Sequence, residues 1–170
     1  SLPINPEGCA LFKILLFSCD RFSIIGIEKK EQNIPYQERN GIMINFEDYK
    51  EGIIHFIGIG GCSMSGLAQI LSNLGYRVSG SDLNESPFTK TLQKRGIPVH
   101  FGHDASYVEG ASLVIYSAAI KPSNVEFAYA KEHGIPMLER SVLLGQISRG
   151  YQKSICIAGC HGKTTITSML

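Results

Sequence analysis

Near the end of the sequence, Gly159-Cys160-His161-Gly162-Lys163-Thr164 follows an apolar run, Lys153 to Ala158, and precedes Thr165-Ile166-Thr167-Ser168-Met169-Leu170, which reads as a helix start. Strand, glycine turn and helix N-terminus together form the setting in which backbone N–H groups cradle phosphates. There Lys163 can bridge β- and γ-phosphate oxygens as a mobile point charge, and the Thr164 hydroxyl can help hold Mg²⁺ between them. The general nucleotide-loop pattern puts glycine at position 157, where Ile157 stands, so this is the shorter G-x-x-G-K-T form.

A second glycine loop lies earlier, at Gly58-Ile59-Gly60-Gly61-Cys62-Ser63-Met64-Ser65-Gly66. Glycines let the backbone turn tightly and approach a phosphate without a Cβ clash, leaving N–H groups to bind it. The dinucleotide fingerprint G-x-G-x-x-G wants a third glycine at 63, where this chain has Ser63, so the match is incomplete. Asp82, at the end of the next strand, is placed to accept from a ribose hydroxyl. A tight turn with no ligand and a plain NAD site both stay open for residues 53 to 82.

Both loops need strands and helices to present them. Ile53 to Ile57 is a short apolar run ending at Gly58, as expected for a strand buried on both faces of a parallel sheet. From Met64, the positions Leu67, Ala68, Leu71 and Leu74 recur at helical spacing and Gly75 supplies the stop. Tyr76 to Val78 starts a second strand closing on Gly80-Ser81-Asp82. Ser86 then caps a helix with Pro87 at its first position and Gly96 beyond its end. Pro98 to Phe101 and Ser112 to Tyr116 are further strands, joined by a connection that carries His103, Asp104 and Gly110. Ser123 and Glu126 form an S-x-x-E capping box for a helix to His133, Ile135 to Leu138 is the next strand, and Ser141 caps a helix through Ile147. This alternation predicts an α/β, Rossmann-like, doubly wound parallel sheet, with its ligand site beyond the carboxyl ends of the strands.

Composition narrows the classes of function. Sixteen Lys and Arg against fifteen Asp and Glu leave a net charge of +1, so no broad field gathers nucleic acid or an anionic membrane, and phosphate recognition must be local. Five cysteines, Cys9, Cys19, Cys62, Cys156 and Cys160, include no C-x-x-C pair and fit a reducing cytoplasm. The stretch from Ala10 to Ile27 is broken by Lys13, Asp20 and Arg21 before it reaches the ~20 apolar residues of a spanning helix, and it lacks the charged leader of a signal peptide.

Taken in order, His55-Phe56-Ile57-Gly58-Ile59-Gly60-Gly61, Met64-Ser65-Gly66-Leu67-Ala68, Ser79-Gly80-Ser81-Asp82, Gly102-His103-Asp104, Ser117-Ala118-Ala119-Ile120 and Gly159 to Thr165 resemble the Mur ligase family over roughly Met43 to Leu170. Cys160 replaces the family's usual threonine, and Ser63 stands where glycine is frequent. The resemblance implies ATP-dependent ligation in peptidoglycan precursor synthesis. Histidine at 161, between the loop glycines, is the family form associated with adding L-alanine to UDP-N-acetylmuramate. It further implies that Gly159, Cys160, His161, Gly162, Lys163, Thr164 and Thr165 bind ATP, with Thr164 on Mg and with Lys163, Thr164 and His161 at the reacting groups. For UDP-N-acetylmuramate the implied residues are Gly58, Gly60, Gly61, Cys62, Ser63, Asp82, His103, Ser117, Ala118, Ala119 and Ile120. A loop histidine such as His103 is more often an ordinary surface or satisfied polar residue, and only its place at a strand end singles it out. Two other readings stand beside this one: a ligase that reattaches a murein tripeptide to the same nucleotide sugar, and a non-catalytic dinucleotide or UDP-sugar module. The resemblance does not specify oligomeric state.

The expected organisation is a non-native or mistranslated leader over 1–42, ranked above a genuine extra N-terminal segment, a UDP-substrate domain over 43–150, and the start of a truncated ATP-binding domain over 151–170, the fragment being inactive alone. Gln37-Glu38-Arg39 can be encoded as a purine-rich ribosome-binding sequence just ahead of Met43, which makes Met43 the expected start. A thiol at a helix N-terminus beside Lys163 has its thiolate favoured, so alkylating Cys160 is expected to weaken nucleotide binding in a full-length enzyme. Labelling of Cys160 with and without Mg-ATP checks this, and equal labelling with full activity refutes it.

Overall fold

The computed structural model describes residues 22–25, 46–150, 155–158, 165, 166 and 169. The chain divides into two compact units, Phe46–Leu144 and the combination of Ser1–Asn45 with Gly145–Leu170. In the latter, β1 (Phe22–Ile25) pairs antiparallel with β7 (Ile155–Ala158), placing Phe22 opposite Ala158. The β7 run is the strand expected ahead of the second glycine loop. The strand at β1 was not expected: four residues are too few to set a period, although Phe and Ile favour an extended backbone. Gly159 to Thr164, and Met43 with most of the 1–42 segment, lie outside the described residues.

The unit Phe46–Leu144 holds a parallel sheet ordered β4-β3-β2-β5-β6. Its strands are β2 (Ile53–Ile57), β3 (Arg77–Asp82), β4 (Val99–Phe101), β5 (Ala111–Tyr116) and β6 (Met137–Glu139). The central strand β2 pairs with β3 on one side and β5 on the other, and Ile54, His55, Phe56 and Ile57 are fully buried. Its unbroken apolar run, interrupted only by His55, is what burial on both faces demands. Strand order reverses at the β2/β5 boundary, which is the switch point where an open α/β sheet leaves a crevice.

Helices α1 (Cys62–Asn73), α2 (Pro87–Lys94), α3 (Val125–Glu132) and α4 (Arg140–Gly150) follow β2, β3, β5 and β6. Two sequence signals for α2 hold as read: Ser86 is the N-cap and Pro87 opens the helix. The capping box is closed by Thr89, whose N–H donates to Ser86 Oγ at 3.2 Å while its hydroxyl accepts from Ser86 N–H at 2.8 Å. For α3 the expected Ser123–Glu126 box does not form. Asn124 is the cap, its Oδ1 accepting from the N–H groups of Glu126 and Phe127 at 3.0 and 3.1 Å, and the Glu126 side chain is thereby free to turn into the interior. On that side of the sheet Ile57, Val108, Val114 and Ala130 form a buried cluster flanked by Ile120, Phe127 and Met137. Among the described residues no helix is long and apolar enough to cross a membrane.

Candidate functional site

The first glycine loop leaves β2 and doubles back over the end of β3. The N–H groups of Gly58 and Ile59 both donate to the Ser81 carbonyl, at 2.8 and 2.9 Å. Gly60 N–H donates to Asp82 Oδ2 at 2.8 Å, and Asp82 Oδ1 accepts from Asn84 N–H at 3.1 Å. Asp82 thus latches the loop to β3. The Gly60 amide expected to face a diphosphate is already committed inside the protein, and so is the Gly61 amide, which donates to the Gly58 carbonyl at 3.3 Å. A Cβ at Gly60 would stand 2.8 Å from both Asp82 Oδ2 and Thr89 Cγ2, which explains glycine at this position.

Gly61 is the N-cap of α1 and offers no side chain to its amides. The first N–H groups of a helix lack intrahelical partners and carry partial positive charge, so an uncapped start favours an anion. Ser63, where the dinucleotide fingerprint asks for glycine, accepts from Arg140 Nη1 at 3.0 Å through its hydroxyl. That contact brings a guanidinium to the same helix start. Arg140 was not among the residues expected from sequence. Its signal was its place directly beyond β6, at a strand end like the others.

Ser117, Ala118, Ala119 and Ile120 follow β5, and Ile120 N–H donates to the Ser117 carbonyl at 3.0 Å in a turn. Ile120 Cδ1 would lie 3.7 Å from a Cβ at Gly58, so the loops after β2 and β5 stand side by side at the switch point. Ala118 and Ala119 are exposed, and Gly58, Gly60, Cys62, Ser63, Asp82 and His103 are partly so. The residues expected for a nucleotide sugar therefore gather at the carboxyl ends of β2, β3, β4 and β5.

Beneath them lies a polar cluster. Glu126, fully buried, reaches from α3 to accept from His55 Nε2 at 3.0 Å, Ser81 Oγ at 2.7 Å and His103 Nδ1 at 2.7 Å. His55 Nδ1 meets Ser79 Oγ at 3.0 Å, so both of its ring nitrogens are occupied. Burial pushes the Glu126 carboxyl upward, but the hydrogen bonds from His55, Ser81 and His103 outweigh it and hold the group below its ordinary range. In the sequence His55 belongs to an apolar strand and to a family motif, and Glu126 to a capping box; neither pattern signals this cluster. His103, in contrast, is a satisfied polar residue on its Nδ1 side and stays partly open to solvent.

Of the residues expected to bind ATP, Gly159, Cys160, His161, Gly162, Lys163 and Thr164 lie outside the described residues. Thr165 is helical and exposed.

Comparison with known proteins adds an independent line. A family model described as Mur ligase family, catalytic domain, matches residues 53–152. Curated relatives called UDP-N-acetylmuramate–L-alanine ligase include one from Agathobacter rectalis, 59% identical over 118 residues, covering 69% of this chain and 26% of that protein. Another from Acetivibrio thermocellus is 54% identical over 117 residues, covering 69% and 25%. The chain thus spans about a quarter of the length of the curated relatives it matches. Among solved structures, UDP-N-acetylmuramate–alanine ligase from Thermotoga maritima is 33% identical with a TM-score of 0.53, covering 58% of this chain and 22% of that one. A murein peptide ligase from Psychrobacter arcticus is 26% identical with a TM-score of 0.55, covering 58% and 21%.

Proposed function

Because this chain belongs to the Mur ligase family, we propose that it supplies the nucleotide-sugar site and the ATP loop of a cytoplasmic ligase that joins L-alanine to UDP-N-acetylmuramate. The observation that carries this reading is the gathering of the first glycine loop, Asp82, His103 and the Ser117–Ile120 loop around one switch point, in a chain 45–59% identical to relatives of that name. The murein tripeptide ligase shares the same nucleotide sugar, and the identity to alanine-adding relatives favours L-alanine over it. We divide the chain into a leader over 1–42, the nucleotide-sugar domain over 43–150 and the beginning of the ATP-binding domain over 151–170.

In this reading the start of α1, Ser63 and Arg140 take the diphosphate, and the Ser117 to Ile120 loop and the region of Asp82 flank ribose and base. The muramyl carboxylate is a poor acyl donor. Transfer of the γ-phosphoryl group of ATP to one of its oxygens, with ADP leaving, makes it an acyl phosphate. The alanine amine then attacks the acyl carbon, and phosphate departs with that oxygen. Lys163 would stabilise the charge that grows on the γ-phosphoryl oxygens, Thr164 would hold a Mg²⁺ that supplies further positive charge to the phosphates, and His161 would act beside them. They stabilise charge and are not nucleophiles.

Isothermal titration of the chain with UDP-N-acetylmuramate and with NAD tests the reading. Binding of the UDP-sugar in preference to NAD is expected, and preference for NAD overturns it. Arg140→Ala should weaken the UDP-sugar about tenfold or more, the effect of losing a charged hydrogen-bond donor. Unchanged affinity in that variant would remove Arg140 from the site.

A further inference from the structure

The Glu126 cluster does more than fill space. Its carboxylate is fully buried, and the partners it has are a serine hydroxyl and two imidazoles. A carboxylate taken out of water without lysine or arginine needs its charge compensated by a proton shared with such partners. The two imidazoles are not equivalent. His55 is fully buried and occupied at both ring nitrogens, by Glu126 and Ser79. His103 is the nearer partner at 2.7 Å, a length typical of a charge-assisted N–H···O contact, and its side chain remains 16% exposed. Its bonds to Glu126 Oε1 and, at 3.3 Å, to Ser81 Oγ both use Nδ1, leaving Nε2 without a partner among the described residues. His103 follows β4, in the tier of strand ends that holds the glycine loop and Asp82.

We propose that Glu126 is a positioning residue for the nucleotide-sugar site, holding the His103 ring by Nδ1 so that Nε2–H donates to an anionic phosphate oxygen of the ligand. His55 and Ser81 hold the carboxylate from the sheet, and Glu126 holds the imidazole from α3. Glu126 sets the ring orientation, the usual division between a contacting imidazole and the group that orients it; with Nδ1–H already given to the carboxylate, Nε2 donates only when the ring carries both protons, the form that an anionic oxygen bound at Nε2 selects. The inference rests on the reading of these strand ends as a UDP-sugar site and adds to it the groups that aim one contact.

The test is calorimetric titration of the 170-residue chain with UDP-N-acetylmuramate, in the wild type, His103→Leu, His103→Gln, Glu126→Gln and the His103→Leu/Glu126→Gln double variant, each checked for folding by thermal melting. His103→Leu should lose about tenfold to a hundredfold in affinity, as expected for a charged donor. His103→Gln should recover part of that loss, because its amide N–H reaches where Nε2–H stood. Glu126→Gln should weaken binding when His103 is present and add nothing further in the His103→Leu background. Equal losses from Glu126→Gln in both backgrounds would show a merely structural carboxylate and overturn the proposal. So would wild-type affinity in His103→Leu, which decides the matter even if Glu126→Gln does not fold. A wild-type chain that does not bind the UDP-sugar fails the functional reading itself, a different result from a binding chain indifferent to these substitutions.

Discussion

Glu126→Ala should cost roughly 3–5 kcal/mol of stability at neutral pH, since each buried donor left without its acceptor costs about 1–3 kcal/mol. Three donors, His55 Nε2, Ser81 Oγ and His103 Nδ1, lose their acceptor at once, and His55 and Ser81 are fully buried. Urea unfolding monitored by circular dichroism measures this, and a cost under about 1 kcal/mol would contradict the account, since even one unsatisfied buried group exceeds it. The pH dependence has a definite sign. The folded carboxyl lies below its ordinary range, so the unfolded chain binds the proton more readily. Its stabilisation is complete above the unfolded value of about 4.3 and is lost as pH falls through the lower folded value. The difference between wild type and Glu126→Gln should therefore be widest near neutrality and close on acidification below about pH 4.

Gly80→Val is the second large effect, and it acts on the loop. A Cβ at position 80 would lie 2.6 Å from Ile59 Cδ1, 2.7 Å from Ile59 Cβ and 2.7 Å from the Phe56 carbonyl oxygen. The first two belong to a fully buried residue of the glycine loop, and the third is backbone of the central strand, so neither can step aside cheaply. Overpacking of this kind costs about 1–3 kcal/mol or more, and the two γ-methyls of valine deepen the clash. Because the relief available is to push Ile59 and its loop off β3, UDP-sugar affinity should fall together with the melting temperature. A stable Gly80→Val protein with unaltered affinity would mean that the loop does not depend on this close approach.

The α/β alternation was legible because each element carries a local signal: the β2 apolar run, the Ser86-Pro87 start of α2 and the glycine stops after α1, α2 and α3. Boundaries were less so. Helix α1 begins at Cys62 rather than Met64, since its first turn is polar and shows no periodicity, and β3 runs on through the glycine and serines to Asp82. The strand-end loops could be named as a site because parallel topology alone puts them together. The Glu126 cluster could not. Its members sit 71 and 23 positions apart, and a glutamate three residues after a serine looks like a cap unless the competing Asn124 is known to win. Asp82 shows the same limit: its residue type suggested a ribose contact, while its two oxygens each hold a backbone amide of this chain.

The contact between Ser63 and Arg140, 77 positions apart, has a bearing on how the chain can be divided. The first strand of this sheet to be made, β2, is the one that ends in its middle, so one of its edges waits for β5, and its buried histidine waits for α3. During synthesis, a nascent chain with only β2, β3 and β4 outside the ribosome would carry the whole glycine loop yet leave His55, Ser79 and Ser81 facing water. The guanidinium arrives later still. The loop that looks most self-contained in the sequence thus gains its last contact only with Arg140, and a shorter piece cut around it would carry the motif without that guanidinium.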